Sequence, residues 1–246
     1  MKIILVGAKG IMGGHVINAA NSAGYEISSL VDLKCDESIS GEYTKIADVK
    51  ENADIIIDFS FHGLVKDITD YAVKTKTPVV IATTGHTEEE KAVINEAAKD
   101  VAVFYSGNMS VGIATLCDVV KKVVSVFPNA DVEIIETHHV RKLDAPSGTA
   151  KMLFNAVKEV REDAYEHQGR GGLCKREKGE VGISSVRIGN IVGIHEVRVG
   201  TAYEQITLKH EAYDRALFAD GAIKAAEYMI GKPAGLYTMK EVLKNQ

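Results

Sequence analysis

The chain has little cysteine, little proline and no excess of basic charge, and each shortage removes a class of protein. Its three cysteines, Cys35, Cys117 and Cys174, are odd in number, widely spaced and without a C-x-x-C pair. A disulfide framework or a zinc knuckle is unsupported, and a reducing compartment is expected. There are only 4 prolines and no Gln-, Ser- or Pro-rich tract, and 46% apolar with 26% charged residues is the balance of a globular chain rather than a disordered one. Lysine and arginine number 29 against 34 acidic residues, for a formal charge of −5. No basic footprint exists for nucleic acid or an anionic membrane, so a small molecule is the expected partner. Long hydrophobic runs are missing too. The opening run Ile3 to Val6 stops at Gly7, far short of a signal-peptide core or a membrane span, and a cytoplasmic location is expected.

What is present is rhythm. Over the first hundred of 246 residues, short apolar runs (3–6, 27–31, 55–58, 79–82, 101–105) alternate with amphipathic stretches (11–23, 62–75, 88–99). That is the βαβ pattern of a parallel sheet covered on both faces. Runs such as DIIID and PVVIA are apolar on consecutive residues, as strands buried from both sides require. After Asn108 come a long apolar segment at 111–127, a strand at 132–139, a helix from about 146 to 161 and a polar, Gly-rich stretch at 163–180. Residues 181–210 alternate in type with Val, Ile, Thr and Tyr at strand spacing, which predicts a mixed or antiparallel sheet. Helices are expected again at 216–229 and 238–244. The expected fold class is α/β, with one domain over 1–109 and 216–246 and a second, α+β domain over 110–215.

Two stretches carry chemistry. In VGAKGIMGG, Gly7, Gly10 and Gly13 stand at three-residue spacing between a strand and a helix, with Ala8 where the common G-x-G-x-x-G has its middle glycine. Such a turn lets backbone N–H groups approach a pyrophosphate, though tight strand–helix packing also calls for glycine. Asp32 ends the second strand at the usual place for an acid on the ribose 2′-hydroxyl; a loop or cap aspartate is the plainer reading. A carboxylate there repels a 2′-phosphate, and the next residue is apolar Leu33, with Lys34 beyond it. NADH is therefore expected to serve at least as well as NADPH.

The second stretch is ETHHVRKLDAPSGTA, residues 136–150. Asp144 can cap a helix, Pro146 suits its first turn, and Ser147, Gly148 and Thr149 then offer N–H groups and hydroxyls to an anion. His138, His139, Arg141 and Lys142 lie just upstream and place cations and proton donors beside that cradle. A solvated basic strand end is the alternative. No metal site is expected, because neighbouring histidines on a strand point to opposite faces and no further ligand motif lies near.

The string E-x-H-H-x-x-K-x-D-A-P-S-G-T-A, with V-G-A-x-G-x-M-G at the start, resembles the 4-hydroxy-tetrahydrodipicolinate (dihydrodipicolinate) reductase family of lysine and diaminopimelate biosynthesis. IDFS (57–60), ATTG (82–85), SGNMSVG (106–112), SSVRIGNIVGIH (184–195) and FADGAIKAA (218–226) extend the resemblance over nearly the whole chain. It implies a Rossmann-type cofactor domain, a substrate domain whose mixed sheet builds a homotetramer, NADH or NADPH as cofactor, and reduction of a small cyclic dicarboxylate. His138 matches the family's catalytic histidine and Lys142 its proton-donating lysine, while His139, Gly148 and Thr149, with Ser147 in the same cradle, match substrate-binding positions. Gly7, Ala8, Lys9, Gly10, Ile11 and Met12, then Asp32, the turn Ala82, Thr83 and Thr84, and the turn Ser106, Gly107, Asn108 and Met109 match the cofactor contacts. Two departures stand out: no proline lies two residues past Ser60, and Leu33 replaces the arginine that some members carry. A sister sugar or amino-acid dehydrogenase, or a nucleotide-sensing module, would share the glycine turn but has no need of the 136–150 block. Arg187, His195 and Arg215 fall in matching blocks with substrate contact and structural pairing both open.

Overall fold

A computed structural model of the chain describes residues 1–244. The chain divides into two compact units, Met1–Ser110 together with the segment from Arg215 onward, and Val111–Asp214. In the first unit, β1 (Lys2–Val6), α1 (Ile11–Ser22), β2 (Glu26–Val31), β3 (Glu42–Tyr43), β4 (Ile55–Asp58), α2 (Val65–Thr75), β5 (Val79–Ile81), α3 (Glu88–Ala97) and β6 (Ala102–Tyr105) follow one another. Helix α2 buries Val65, Ile68, Thr69 and Ala72, the i, i+3, i+4, i+7 stripe of a helix lying on a sheet. Helix α3 starts with a capping box, Thr87 with Glu90, and three glutamates in its first turn, the favourable sign for a helix N-terminus.

In the second unit, α4 (Val111–Val126), β7 (Asp131–His138), α5 (Gly148–Lys158), β8 (Tyr165–Gln168), β9 (Glu180–Arg187), β10 (Gly193–Gly200) and β11 (Gln205–Ala212) form a five-stranded sheet with two helices. Its order is β11-β10-β7-β9-β8. β7, β9 and β8 pair in parallel and the other neighbours antiparallel, so the sheet is mixed. Val132 and Ile134 of β7, Val197 and Val199 of β10, and Val181 and Ile183 of β9 meet Leu116 and Val120 of α4 and Leu153 and Val157 of α5 in one core. Burial alternates strictly along β7, which turns Glu136 and His138 to the same side as Val132 and Ile134. An apolar strand face thus ends in two buried polar residues.

The chain then returns to the first unit as α6 (Ala216–Met229), β12 (Gly235–Tyr237) and α7 (Met239–Leu243). β12 completes a parallel seven-stranded sheet of order β12-β6-β5-β4-β1-β2-β3. β1 lies between β2 and β4, so the strand order reverses beside it, and that reversal opens the crevice where α/β sheets take ligands. The short strands β3, β8 and β12 have no counterpart in the sequence pattern. No helix among the described residues is long and apolar enough to cross a membrane.

Candidate active site and nucleotide-binding turn

The glycine turn sits at the strand-order reversal. Gly7 has φ +81°, and a Cβ there would overlap the Phe59 carbonyl that follows β4. A Cβ on Gly13 would overlap the Ala8 carbonyl, so α1 can press against the turn only because residue 13 is glycine. Packing therefore demands Gly7 and Gly13, as the plainer reading held. The turn also leaves the start of α1 open. Gly10 is the N-cap of α1 and no side chain caps the helix. The first-turn amides of Ile11 and Met12 thus head the helix without a protein side chain on them.

Asp32 faces this turn. Its Oδ2 accepts the Lys9 N–H at 3.1 Å and its Oδ1 the Lys34 N–H at 3.0 Å, and each oxygen keeps a second acceptor site. The Lys9 ammonium is committed to Glu42 at 2.5 Å, and Leu33 is 80% exposed. Gly7, Gly10 and Asp32 line a cavity of about 820 Å³, with Lys34 and Lys45 also on its wall. A cavity of that size, walled by an uncapped helix start and a ribose-placed carboxylate, fits a dinucleotide.

The other two nucleotide-site stretches lie at the same sheet edge, after β5 and β6, but outside that cavity. Thr83 is buried and Thr84 exposed. Ser106 Oγ donates to the Asn108 carbonyl at 2.7 Å, and Met109 is buried beneath α6, where a Cβ on Gly221 would overlap its carbonyl. Beside the turn after β5, at the end of β4, sits Asp58, 1% exposed, which accepts the Ser60 N–H at 2.9 Å and the Ser60 hydroxyl at 2.5 Å. Burial pushes its carboxyl up to about 6. Ser60 N–H also reaches Thr83 Oγ1 at 2.8 Å, joining the turn after β4 to the turn after β5. Where the family proline is absent, His62 pairs with Glu90 of α3 at 2.8 Å and holds the turn by a different contact.

The second site is built at the end of β7. Register sets Ser185 of β9 and His195 of β10 on either side of Glu136, and Arg187 of β9 beside His138. Glu136 is fully enclosed. Arg187 grips both its oxygens, at 2.8 and 2.9 Å, His138 Nδ1 lies 2.5 Å from Oε2, and the Ser147 N–H reaches Oε1 at 3.2 Å. Burial drives this carboxyl up, and the hydrogen bonds from His138, Arg187 and Ser185 outweigh it and hold it well below the usual range. His195, 4% exposed, meets Ser147 Oγ at 3.2 Å through Nε2 and stands edge-on to His138, 5.1 Å between ring centroids. Its Nδ1 is buried with no hydrogen-bond partner among the described residues. Burial, reinforced by the charge of His138, lowers its pKa to about 3.

The helix start departs from expectation. The N-cap of α5 is Ser147, whose Oγ accepts the Ala150 N–H, and α5 begins at Gly148. Asp144 lies three residues ahead of the cap and pairs instead with Lys142 at 2.8 Å, because the Ala145-Pro146 segment separates it from the helix. Ser147, 2% exposed, spends its amide on Glu136 and its hydroxyl on His195 and Ala150. It supports the site from within. Gly148 is exposed and Thr149 half-buried at the helix start, and His139 is half-buried just past β7. Arg141 reaches the side chain of Asn190 at 2.6 Å. Arg187 belongs to structural pairing: beyond Glu136 it donates to the Asp144 carbonyl at 2.7 Å. Glu136, Arg187 and His195 were not singled out as site residues from sequence, although the i, i+2 spacing of Glu136 and His138 on a strand was a usable signal.

A parallel sheet with a dinucleotide-fitting glycine turn, and a second unit gathering histidine, lysine and a helix start, define a two-unit oxidoreductase. The family described as dihydrodipicolinate reductase matches the chain with its N-terminal part over residues 1–109 and its C-terminal part over 112–243. The 4-hydroxy-tetrahydrodipicolinate reductase of Clostridium novyi (strain NT) is 43% identical, over 100% of this chain and 99% of that one. Its counterpart in Caldanaerobacter subterraneus subsp. tengcongensis is 41% identical, over 99% and 98%. A solved structure, the dipicolinate-bound dihydrodipicolinate reductase of Paenisporosarcina sp. TG-14, shares the fold with a TM-score of 0.79 at 23% identity, covering 97% of each chain. The chain belongs to the dihydrodipicolinate reductase family. It is an oxidoreductase of lysine and diaminopimelate biosynthesis.

Proposed function

We infer that the chain reduces 4-hydroxy-tetrahydrodipicolinate, a small cyclic dicarboxylate, to tetrahydrodipicolinate with NADH or NADPH, and that His138 and Lys142 carry its proton chemistry. The observation that carries this reading is the convergence, at the end of β7, of a buried His138, the Lys142 ammonium and the start of α5. Proton donors stand beside an anion-binding helix terminus. Gly148 and Thr149 hold one substrate carboxylate at that terminus, with His139 as a further donor, and Ser147 shapes the cradle by capping it. Loss of the substrate's 4-hydroxyl group as water leaves a conjugated C=N–C=C system, to which a nicotinamide, when bound, would supply a hydride. Lys142 gives the neighbouring carbon its proton and His138 orients or relays that proton. The cationic cluster also stabilises negative charge developing on the substrate ring.

In the other unit, the residues Gly7, Ala8, Lys9, Gly10, Ile11 and Met12 hold the pyrophosphate and Asp32 a ribose. Ala82, Thr83 and Thr84, with Ser106, Gly107, Asn108 and Met109, hold the nicotinamide end. NADH serves at least as well as NADPH, because Asp32 repels a 2′-phosphate while Lys9 is occupied by Glu42; Lys34 and Lys45 on the cavity wall keep NADPH usable. The protein works in the cytoplasm as a homotetramer built on the five-stranded sheet, the state that the family resemblance supports. The test is NADH oxidation with substrate generated in place by the synthase that forms it. Synthase-dependent oxidation supports the reading; stoichiometric NADH binding with no oxidation would leave a sensing module or a sister dehydrogenase.

A further inference from the structure

We propose that Glu136, with Arg187 as its counter-ion, is a positioning residue that fixes which ring nitrogen His138 presents for chemistry. This rests on the reading of His138 given above. Hydrogen-bond donors fill the enclosed carboxylate: Arg187 and the Ser147 N–H reach Oε1, Arg187 and His138 Nδ1 reach Oε2, and the Ser185 side chain adds a further bond. An ionised carboxylate only accepts, so the hydrogen between the two side chains belongs to Nδ1 whether the ring is neutral or protonated. In the neutral ring the lone pair is then on Nε2. That atom has no hydrogen-bond partner among the described residues, and it faces bare Gly193, where a Cβ would come within 3.2 Å. The opposite tautomer would set two acceptors against each other at 2.5 Å between two buried side chains.

Arg187 completes the device. Its guanidinium pairs with both oxygens of the enclosed carboxylate, so Glu136 keeps its charge beside His138 without standing as a lone buried anion. The same guanidinium donates to the Asp144 carbonyl, so it also anchors the loop that carries Lys142. The groups around His138 are Glu136 on its own strand, Arg187 from β9, His195 from β10, and Lys142 with Asp144 from the following loop; Lys142 and His210 act on His195 in turn. Kept neutral by burial, His195 adds no competing charge.

Two readouts test this on the full chain. Imidazole nitrogen NMR, with the His138 signal assigned by its loss in His138→Asn, is expected to show Nδ1–H in the wild type and a tautomer mixture in Glu136→Gln. An Nε2–H tautomer in the wild type would overturn the proposal. In kinetics, Glu136→Gln is expected to lower kcat roughly 10- to 100-fold with KM for the dicarboxylate within about threefold. Glu136→Asp, which keeps the charge and both acceptor oxygens, is expected to recover part of the lost kcat. Unchanged kcat in Glu136→Gln, or equal losses in both variants with the wild-type tautomer retained in Glu136→Gln, would overturn the role. His138→Ala measured alongside separates the two ideas: full activity there removes the reading of His138, while a damaged His138→Ala with a normal Glu136→Gln removes only Glu136. If the Gln variant does not fold, the wild-type tautomer and the Asp variant decide.

Discussion

His195 shows how one buried side chain links stability to pH. Its folded pKa of about 3 lies below the ordinary 6.5, so the folded ring stays neutral while the unfolded one takes a proton. Stability is present above pH 6.5 and is lost as pH falls toward 3, by an amount on the order of 5 kcal/mol. Asp58 runs the other way: raised from 3.8 to about 6, it favours the folded state at low pH and loses that contribution as pH rises through 6. Glu136, held low, contributes stability above its ordinary 4.5 and loses it only on further acidification. Comparing wild type with His195→Gln between pH 4.5 and 6.5 cancels the two carboxylates. Denaturant titrations are expected to show a flatter pH dependence in the variant; equal slopes would mean that His195 titrates normally in the fold. A second residue-scale expectation concerns Thr149, whose loss in Thr149→Val should raise substrate KM roughly tenfold with kcat little changed, as measured by steady-state kinetics. His138 and Lys142 belong to a cationic cluster legible in the sequence just ahead of a helix start, and the family resemblance picks those two out of it. Glu136, Arg187 and His195 needed the cross-strand register of β9, β7 and β10, which no local pattern encodes.

Helix starts decide both sites. Helix α1 opens without a side-chain cap, at the turn proposed to hold a nucleotide; α5 opens with Ser147, which caps the helix and braces Glu136 and His195. Ser147→Ala is expected to cost about 1 kcal/mol for the lost cap and more for the exposed polar partners, and to lower kcat, both readable by chemical denaturation and turnover. Gly13→Ala is expected to destabilise by about 1–3 kcal/mol, since its Cβ would overlap the Ala8 carbonyl and push α1 off the turn. Wild-type stability in that variant would show that the turn can move. The long elements were legible because consecutive apolar residues in β4 and β5, and helical stripes in α2 and α4, leave one burial pattern each. β3 and β12, two and three residues long, are too short for periodicity and exist because neighbouring strands offer them an edge. Asp144 looked like a cap because Asp before Pro commonly is one; pairing with Lys142 drew it away.

At the scale of the molecule, the chain has a parallel seven-stranded sheet in one unit and a separate mixed sheet in the other, and the proposed function assigns the dinucleotide to the first and the dicarboxylate and its proton to the second. Cofactor choice follows from the wall of the first unit's cavity. With Asp32 on it and Lys9 occupied, kcat/KM with NADH is expected to equal or exceed that with NADPH, and a strong NADPH preference would show that Lys34 and Lys45 dominate the wall. The proposed proton delivery by Lys142 and His138 is the central claim to test. The most direct measurement is synthase-coupled NADH oxidation by wild type and Lys142→Ala, with NADH affinity determined on the same samples. Wild-type turnover with a roughly 100-fold or greater loss of kcat in the variant, at unchanged NADH affinity, is the expected result. Turnover by Lys142→Ala at the wild-type rate would place the proton donor elsewhere and contradict the site described at the end of β7.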